Sequence, residues 1–208
     1  MNLEVWIPFA LASAIILVIP GPTIILVISQ AVAHGRRSVV PLVAGVLLGD
    51  FTAMTLSLLG LGAVMSASAA LFNIFKWVGA IYLIYLGIKL WRLDPAKNSI
   101  KYTAKNTSAR SLLKSSFIVT ALNPKSIAFF VAFLPQFIDP LKPVSFQLPL
   151  LGGTFLILAT VNAALYAFFA GQLSEHMRKR NIRKLFNRCG GSALIGAGIF
   201  TAAIKQST

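Results

Sequence analysis

The chain is short of charged residues, and above all of acidic ones. Only 12% of its 208 residues are charged, against roughly 25% in a soluble globular domain. Just five residues are Asp or Glu. Hydrophobic residues make up 57% of the chain, so too few polar residues remain to cover the surface of a soluble protein. The composition argues against a soluble enzyme and favours a membrane protein.

Metal-binding and redox side chains are also scarce. The single cysteine, Cys189, has no partner for an intrachain disulfide, and His34 and His176 are the only histidines. An intramembrane protease would need two carboxylates or a set of metal-binding histidines. The sequence therefore predicts no metal site, no cofactor and no enzymatic activity.

Long uncharged segments make up much of the sequence. Residues 5–35, 51–75, 77–88 and 143–174 contain no charged side chain. A membrane-spanning helix needs roughly 20 apolar residues, and these runs lack the alternation typical of barrel strands. We therefore predict an all-α membrane protein. Its six predicted transmembrane helices cover about 5–33, 39–64, 70–91, 113–138, 146–172 and 189–204.

The positive charge is concentrated in alternate loops. The formal net charge is +14. The first, third and fifth loops carry Arg36, Arg37, Lys89, Arg92, Lys97, Lys101, Lys105, Arg110, Lys114, Arg178, Lys179, Arg180, Arg183, Lys184 and Arg188. The positive-inside rule places these loops in the cytoplasm and both termini outside. Nucleic-acid binding is not expected, because Tyr102 is the only aromatic residue within 94–110 that could stack on a base. We expect the basic loops to contact anionic lipid headgroups instead.

Two predicted spans are interrupted by proline. Pro20-Gly21-Pro22 breaks the first span and Asn123-Pro124-Lys125 breaks the fourth, half a chain length further on. The first and fourth spans would run in opposite directions, as in transporters built from inverted repeats, which bind substrate at broken helices near the midplane. We predict one transporter domain over 1–208, with three-helix repeats at about 1–92 and 112–208 and a basic loop at about 93–111. Alternatively, the prolines merely kink their helices.

Two charges lie deep within the predicted spans. Asp50 is 13 residues beyond Arg37, about 20 Å along a helix, and Lys125 follows the second proline break. Charges at this depth are costly and face the bundle interior. Asp50 and Lys125 could form a structural ion pair. Alternatively, Asp50 carries a proton or meets an ammonium group while Lys125 meets a carboxylate, which are the two ends of an amino acid.

The breaks and the deep charges define a candidate site. Proline removes backbone donors and frees carbonyls one turn earlier, and glycine permits close approach. The predicted substrate-binding or coupling residues are Asp50, Lys125, Asn123, Pro20, Gly21, Pro22 and Pro124. Gln30, Thr154 and Asn162 are weaker candidates, because each could equally bond a neighbouring helix. Gly45 and Gly49 indicate close helix packing.

Several motifs together resemble one family. They are Pro20-Gly21-Pro22, Gly45…Gly49-Asp50, Lys76-x-x-Gly79-Ala80-x-Tyr82-Leu83-x-Tyr85-Leu86-Gly87, Trp91-Arg92, Asn123-Pro124-Lys125, Phe129-Phe130 and Leu134-Pro135-Gln136-Phe137. In order, spacing and total length, the chain is similar to the LysE/RhtB amino-acid exporters. The resemblance implies a six-helix, multi-pass protein of the bacterial inner membrane that exports amino acids or their derivatives using the proton gradient.

The resemblance does not select one substrate. Members of the family are associated with basic amino acids, homoserine and its lactone, threonine and branched-chain amino acids. Because Asp50 is the only acid within the predicted spans, a neutral amino acid such as homoserine, threonine or leucine is expected. A passive channel and an efflux protein for cations or heavy metals are the alternatives, the latter disfavoured by the shortage of Cys, His and acidic groups. Both a monomer and a homo-oligomer stay open.

Overall fold

The chain is helical in every part that the structure describes. The computed structural model describes residues 3–67, 69–92, 107–139, 141–172 and 180–203, and none of these residues lies in a β-strand. The predicted all-α class is confirmed. Most of the predicted basic loop at 93–111, and residues 173–179 of the fifth loop, lie outside the described residues.

Eight α-helices cover most of the described residues. They are α1 Leu3–Val18, α2 Pro22–His34, α3 Val39–Ala67, α4 Ala69–Arg92, α5 Ala109–Ala121, α6 Pro124–Ala128, α7 Val144–Phe168 and α8 Arg180–Ala203. A 3₁₀ turn, Gly35–Ser38, joins α2 to α3. A π-helical turn, Phe129–Phe133, and a 3₁₀ turn, Leu134–Phe137, continue α6.

Two described segments are long and apolar enough to span a membrane. They are Pro22–Gly60 and Val144–Phe168. The pair Ala109–Ala121 and Pro124–Phe137, bent by 41°, adds a third if it counts as one span. The span predicted over 5–33 consists of two helices, because Pro20 and Pro22 have no N–H to continue the helix.

Glycines bring two pairs of helices into close contact. Gly45 and Gly49 of α3 face α5, where a Cβ on Gly49 would lie 2.7 Å from the Cβ of Thr120. Gly87 of α4 and Gly191 of α8 face each other in the same way. The close approach predicted at Gly45 and Gly49 is therefore confirmed, and it fixes α3 beside the second broken helix.

Two apolar clusters fill the interior on either side of the helix breaks. We call the side where α1 begins the N-terminal side, and the side where α2 ends, next to Arg36 and Arg37, the basic side. On the N-terminal side, ring contacts join the aromatic cluster of Phe9, Phe129, Phe130, Phe133, Phe137 and Phe155. On the basic side lies the aliphatic cluster of Ile24, Val27, Ile28, Ala31, Leu42, Val46, Leu112 and Ala163.

The turn before α7 is held by one buried glutamine. The Gln147 amide accepts from Asp139 N at 2.8 Å and donates to the carbonyls of Asp139 at 2.9 Å and Lys142 at 3.2 Å. The Asp139 carboxylate accepts a hydrogen bond from Leu141 N and lies 3.3 Å from Lys142 Nζ. The hydrogen bond from Leu141 N lowers the pKa of Asp139 below its ordinary value of 3.8, and the smaller effect of the Lys142 side chain acts in the same direction.

Candidate functional site

The end of α1 leaves backbone carbonyls without helical donors. In a continuous helix the carbonyls of Ile16 and Val18 would accept from the N–H groups of residues 20 and 22, but both residues are proline. The chain also leaves the helical conformation after Val18. Carbonyls exposed in this way at the centre of an apolar bundle need other donors.

Side chains from two other segments supply those donors. Lys125 Nζ donates to the carbonyls of Ile16 and Ile19, both at 2.9 Å. On α7, Asn162 Nδ2 donates to the Leu17 carbonyl at 3.0 Å and Tyr166 Oη donates to the Val18 carbonyl at 2.6 Å. The Lys125 ammonium therefore sits at the negative end of the α1 dipole, where a cation is stabilised.

The second break is tied to the first. Asn123 precedes α6, and its side-chain oxygen accepts from Lys125 N at 3.1 Å. Its amide nitrogen donates to Thr23 Oγ1 at 3.1 Å, and the Thr120 hydroxyl donates to the same oxygen at 3.3 Å. Thr23 is the second residue of α2, just as Lys125 is the second residue of α6. Each broken helix thus bonds to the end of the other.

Asp50 lies beside these breaks on α3. It is 3% exposed, and its side chain is hydrogen-bonded to the side chain of Ser126. Its Oδ1 atom is buried with no hydrogen-bond partner among the described residues. The charges of Asp50 and Lys125 interact electrostatically. They do not form a direct ion pair among the described residues, because the Lys125 ammonium is hydrogen-bonded to carbonyls of α1.

A small central cavity lies between the breaks and Asp50. Its volume is about 20 Å³, room for about one water molecule and far less than the hundreds of Å³ of a typical ligand pocket. It is lined by Leu17, Gly21, Thr23, Ile24, Val46, Asp50, Asn123, Lys125, Ser126, Ala159 and Asn162. The combination of one acid, one ammonium, amides, hydroxyls and aliphatic walls suits a small zwitterion.

The two apolar clusters flank this cavity on both sides. One helical turn from the cavity residues Ser126 and Ala159, on the N-terminal side, stand Phe129, Phe130 and Phe155 of the aromatic cluster. On the basic side, Ile24 and Val46 belong both to the cavity wall and to the aliphatic cluster. The polar centre therefore lies between two apolar layers.

A larger cavity adjoins the central one. Its volume is about 220 Å³. It shares Gly21, Asn123 and Lys125 with the central cavity and extends to Lys89 in the last turn of α4, on the basic side. The Lys125 side chain lies at the boundary between the two cavities.

The structure brings most of the sequence-predicted residues together. Asp50, Lys125, Asn123, Gly21 and Asn162 line the central cavity, and Pro20, Pro22 and Pro124 line the larger one. Thr154 instead accepts from Trp6 Nε1 at 3.0 Å and donates to the Leu150 carbonyl at 2.7 Å. Neither Thr154 nor Gln30 lines either cavity.

Sequence reasoning missed three polar residues of the site. Thr23 and Ser126 each follow a proline break directly, so their proximity to Pro22 and Pro124 was an available signal. Tyr166 lies four residues after Asn162 and hence on the same face of α7. Its hydroxyl completes the set of donors to the α1 carbonyls.

A buried carboxylate and a half-buried ammonium at a polar cavity, between two broken helices, are features of a membrane transporter. The chain belongs to the family of LysE type translocators, whose family model matches residues 14–204. It is 33% identical over 207 residues to a homoserine/homoserine lactone efflux protein of Salmonella typhimurium, covering all of both chains. It is 31% identical over 197 residues to a leucine efflux protein of Enterobacter sp., covering 90% of each.

An uncharacterized membrane protein of Vibrio cholerae is similarly related. It is 33% identical over 205 residues, which cover 99% of this chain and 100% of the relative. No solved structure matches the chain. The family and the relatives named as efflux proteins support amino-acid export.

Proposed function

We propose that this protein exports neutral amino acids from the cytoplasm as a secondary transporter driven by the proton gradient. The observation that carries the proposal is the buried Asp50 Oδ1 atom, which has no partner among the described residues and belongs to a side chain that lines the central cavity. An unpaired carboxylate oxygen at membrane depth is costly, and a substrate ammonium or a proton would satisfy it. The relatives named for homoserine and leucine efflux support the same substrate class.

The second end of an amino acid has partners in the same cavity. α2 begins with Pro22 and its first N–H groups have no side-chain cap, so its positive end can bind a carboxylate. Lys125 uses two of its three ammonium donors on the α1 carbonyls, which leaves one donor. The substrate carboxylate would lie at Thr23 and Lys125, and its ammonium at Asp50.

A neutral substrate side chain suits the remaining wall. Leu17, Val46 and Ala159 are apolar, and among the described residues that line the cavity only Asp50 is acidic. If Asp50 binds the α-ammonium, no second carboxylate is left for a cationic side chain. The cavity would have to enlarge to hold the substrate, since it now has room for about one water molecule.

The closed centre favours a transporter that opens to one side at a time. The aromatic cluster separates the cavity from the N-terminal side, and the aliphatic cluster separates it from the basic side. A passive channel would instead require a continuous polar path. We propose that substrate enters from the basic side past the aliphatic cluster and leaves past the aromatic cluster.

We also propose six membrane crossings in two inverted repeats. The reciprocal bonds at the breaks support this arrangement, because Lys125 reaches the end of α1 while Thr23 meets the end of α5. The contacts between α3 and α5 have their counterpart in those between α7 and the broken first helix. The basic side would face the cytoplasm, with both termini in the periplasm of a bacterial inner membrane.

An export assay tests the proposal. Cells with and without the protein are fed dipeptides containing leucine, threonine or other amino acids, and external amino acids are measured over time. We expect faster release of neutral amino acids from the producing cells. Equal release across a broad panel would contradict export.

The coupling role of Asp50 needs a matched comparison. In proteoliposomes with an imposed pH gradient, Asp50→Asn should lose uphill transport, because the carboxamide cannot exchange a proton. Asp139→Asn removes a carboxylate from an exposed turn instead and should transport normally. Full uphill transport by Asp50→Asn would refute proton coupling through this residue, and downhill flux alone from the native chain would favour a channel.

A further inference from the structure

Three side chains contain a buried polar atom without a hydrogen-bond partner among the described residues. They are Ser13 Oγ, Gln30 Oε1 and Asp50 Oδ1. A buried polar atom left unpaired costs about 1–3 kcal/mol, so each one in a native protein calls for an explanation. Asp50 lines the central cavity, whereas Ser13 and Gln30 lie outside it on the two parts of the broken first helix.

Ser13 lies at the depth of the aromatic cluster, one helical turn from the central cavity. It is fully buried on α1. Residues four apart share a helix face, so Phe9, Ser13 and Leu17 form one stripe. Phe9 packs against Phe129 and Phe137, and Leu17 lines the central cavity. The Ser13 hydroxyl is therefore about 6 Å from Leu17 along the helix axis, toward the N-terminal side.

The lack of a partner sets Ser13 apart from other hydroxyls in these helices. Thr52, Ser116, Thr154 and Thr160 each donate to the carbonyl four residues earlier, the usual solution for a helical hydroxyl in an apolar environment. Ser13 does not use the Phe9 carbonyl in this way. Its hydroxyl is buried in the bundle and free to bond something else.

Gln30 occupies the corresponding place on the basic side. It lies seven residues after Thr23 on α2, two turns or about 10 Å along the axis. Val27, between them on that face, belongs to the aliphatic cluster. Ala31, the residue after Gln30, belongs to the same cluster, so the unpaired Gln30 Oε1 lies at the depth of the aliphatic layer.

We propose that Ser13 and Gln30 contact the substrate during translocation, Gln30 on its way in and Ser13 on its way out. A zwitterion crossing an apolar layer loses its hydration, and each of these atoms offers it a hydrogen bond at the depth of one layer. The three unpaired atoms mark a path along the broken helix from the basic side to the N-terminal side. This inference rests on the proposed export function.

The Ser13→Ala variant separates a transport role from a structural one. Removing an unpaired hydroxyl should leave thermal stability equal or higher. The maximal export rate should fall by about three- to tenfold, the value of one lost hydrogen bond. The half-saturating substrate concentration on the basic side should stay unchanged, because Ser13 acts after binding.

Ser116→Ala is the matched control. Ser116 is also fully buried, but its hydroxyl bonds to the carbonyls of Leu112 and Leu113. This variant should lose stability and keep the native export rate per folded molecule. Gln30→Leu should raise the half-saturating concentration about three- to tenfold without loss of stability.

The outcomes distinguish this inference from the function on which it rests. A native rate in Ser13→Ala, measured where the native chain exports, refutes the role of Ser13 and leaves export intact. An unchanged half-saturating concentration in Gln30→Leu refutes the role of Gln30. Absence of export by the native chain overturns the proposed function and this inference together.

Discussion

Lys125 is the side chain whose replacement tests the arrangement of the site most directly. Its ammonium donates to the carbonyls of Ile16 and Ile19, and it is not paired directly with Asp50. Lys125→Met keeps the length of the side chain and removes both bonds. Each unpaired carbonyl costs about 1–3 kcal/mol, so the free energy of unfolding should fall by about 2–6 kcal/mol.

Asp50→Asn should behave differently. Asn keeps the shape of the side chain and removes a buried charge, so the change in unfolding free energy should stay within about 1 kcal/mol. The coupling energy is the difference between the effect of the double variant, Lys125→Met with Asp50→Asn, and the sum of the two single effects. It should be at most about 1.5 kcal/mol, in the lower half of the range for interacting residues. It would reflect the through-space interaction of the two charges.

Denaturant titration in detergent micelles measures these quantities, with the fluorescence of Trp6, Trp77 and Trp91 as the readout. Suppose instead that Asp50→Asn is as destabilising as Lys125→Met, and that the coupling energy accounts for most of both losses. The two residues would then form a direct ion pair, and the reasoning from the α1 carbonyls would be refuted.

Four further predictions concern other parts of the fold. Tyr166→Phe leaves the Val18 carbonyl unpaired and should lower the unfolding free energy by about 1–3 kcal/mol in the same titration. Gly49→Ala places a Cβ 2.7 Å from Thr120 Cβ and should destabilise by about 1–3 kcal/mol. Gly153→Ala, which meets nothing within 4 Å, should stabilise α7 by up to about 1 kcal/mol. Because its pKa is lowered in the folded protein, ionised Asp139 stabilises the fold above the ordinary carboxyl pKa of 3.8. Asp139→Asn should therefore be less stable than the native chain at pH 7, and thermal unfolding should show the difference shrinking as the pH falls below 3.8.

The local consequences of proline could be predicted from the sequence. Pro20, Pro22 and Pro124 lack the backbone donor that a helix needs, so both breaks were expected where the structure has them. The burial of Asp50 in the interior of the bundle was expected from the uncharged residues around it. These features depend on residues close together in the chain.

The partners of these side chains depend on how the helices cross. The sequence positions of Lys125 and Asp50 suggested that the two side chains would pair. Sequence spacing does not show that the carbonyls of Ile16 and Ile19 lie within hydrogen-bonding distance of the Lys125 ammonium. Thr154 was similarly ambiguous, because α7 is apolar on nearly every face and its pattern does not show which face meets the cavity. Its partner, Trp6, is 148 residues away in the sequence.

The two apolar clusters have a consequence for the membrane as well as for the substrate. A membrane protein with a continuous chain of water molecules through its centre would conduct protons and dissipate the proton gradient across the membrane. Here the central cavity has room for about one water molecule, with phenylalanine rings on one side and aliphatic side chains on the other. Many idle copies could therefore stay in the membrane while the cell retains its proton-motive force.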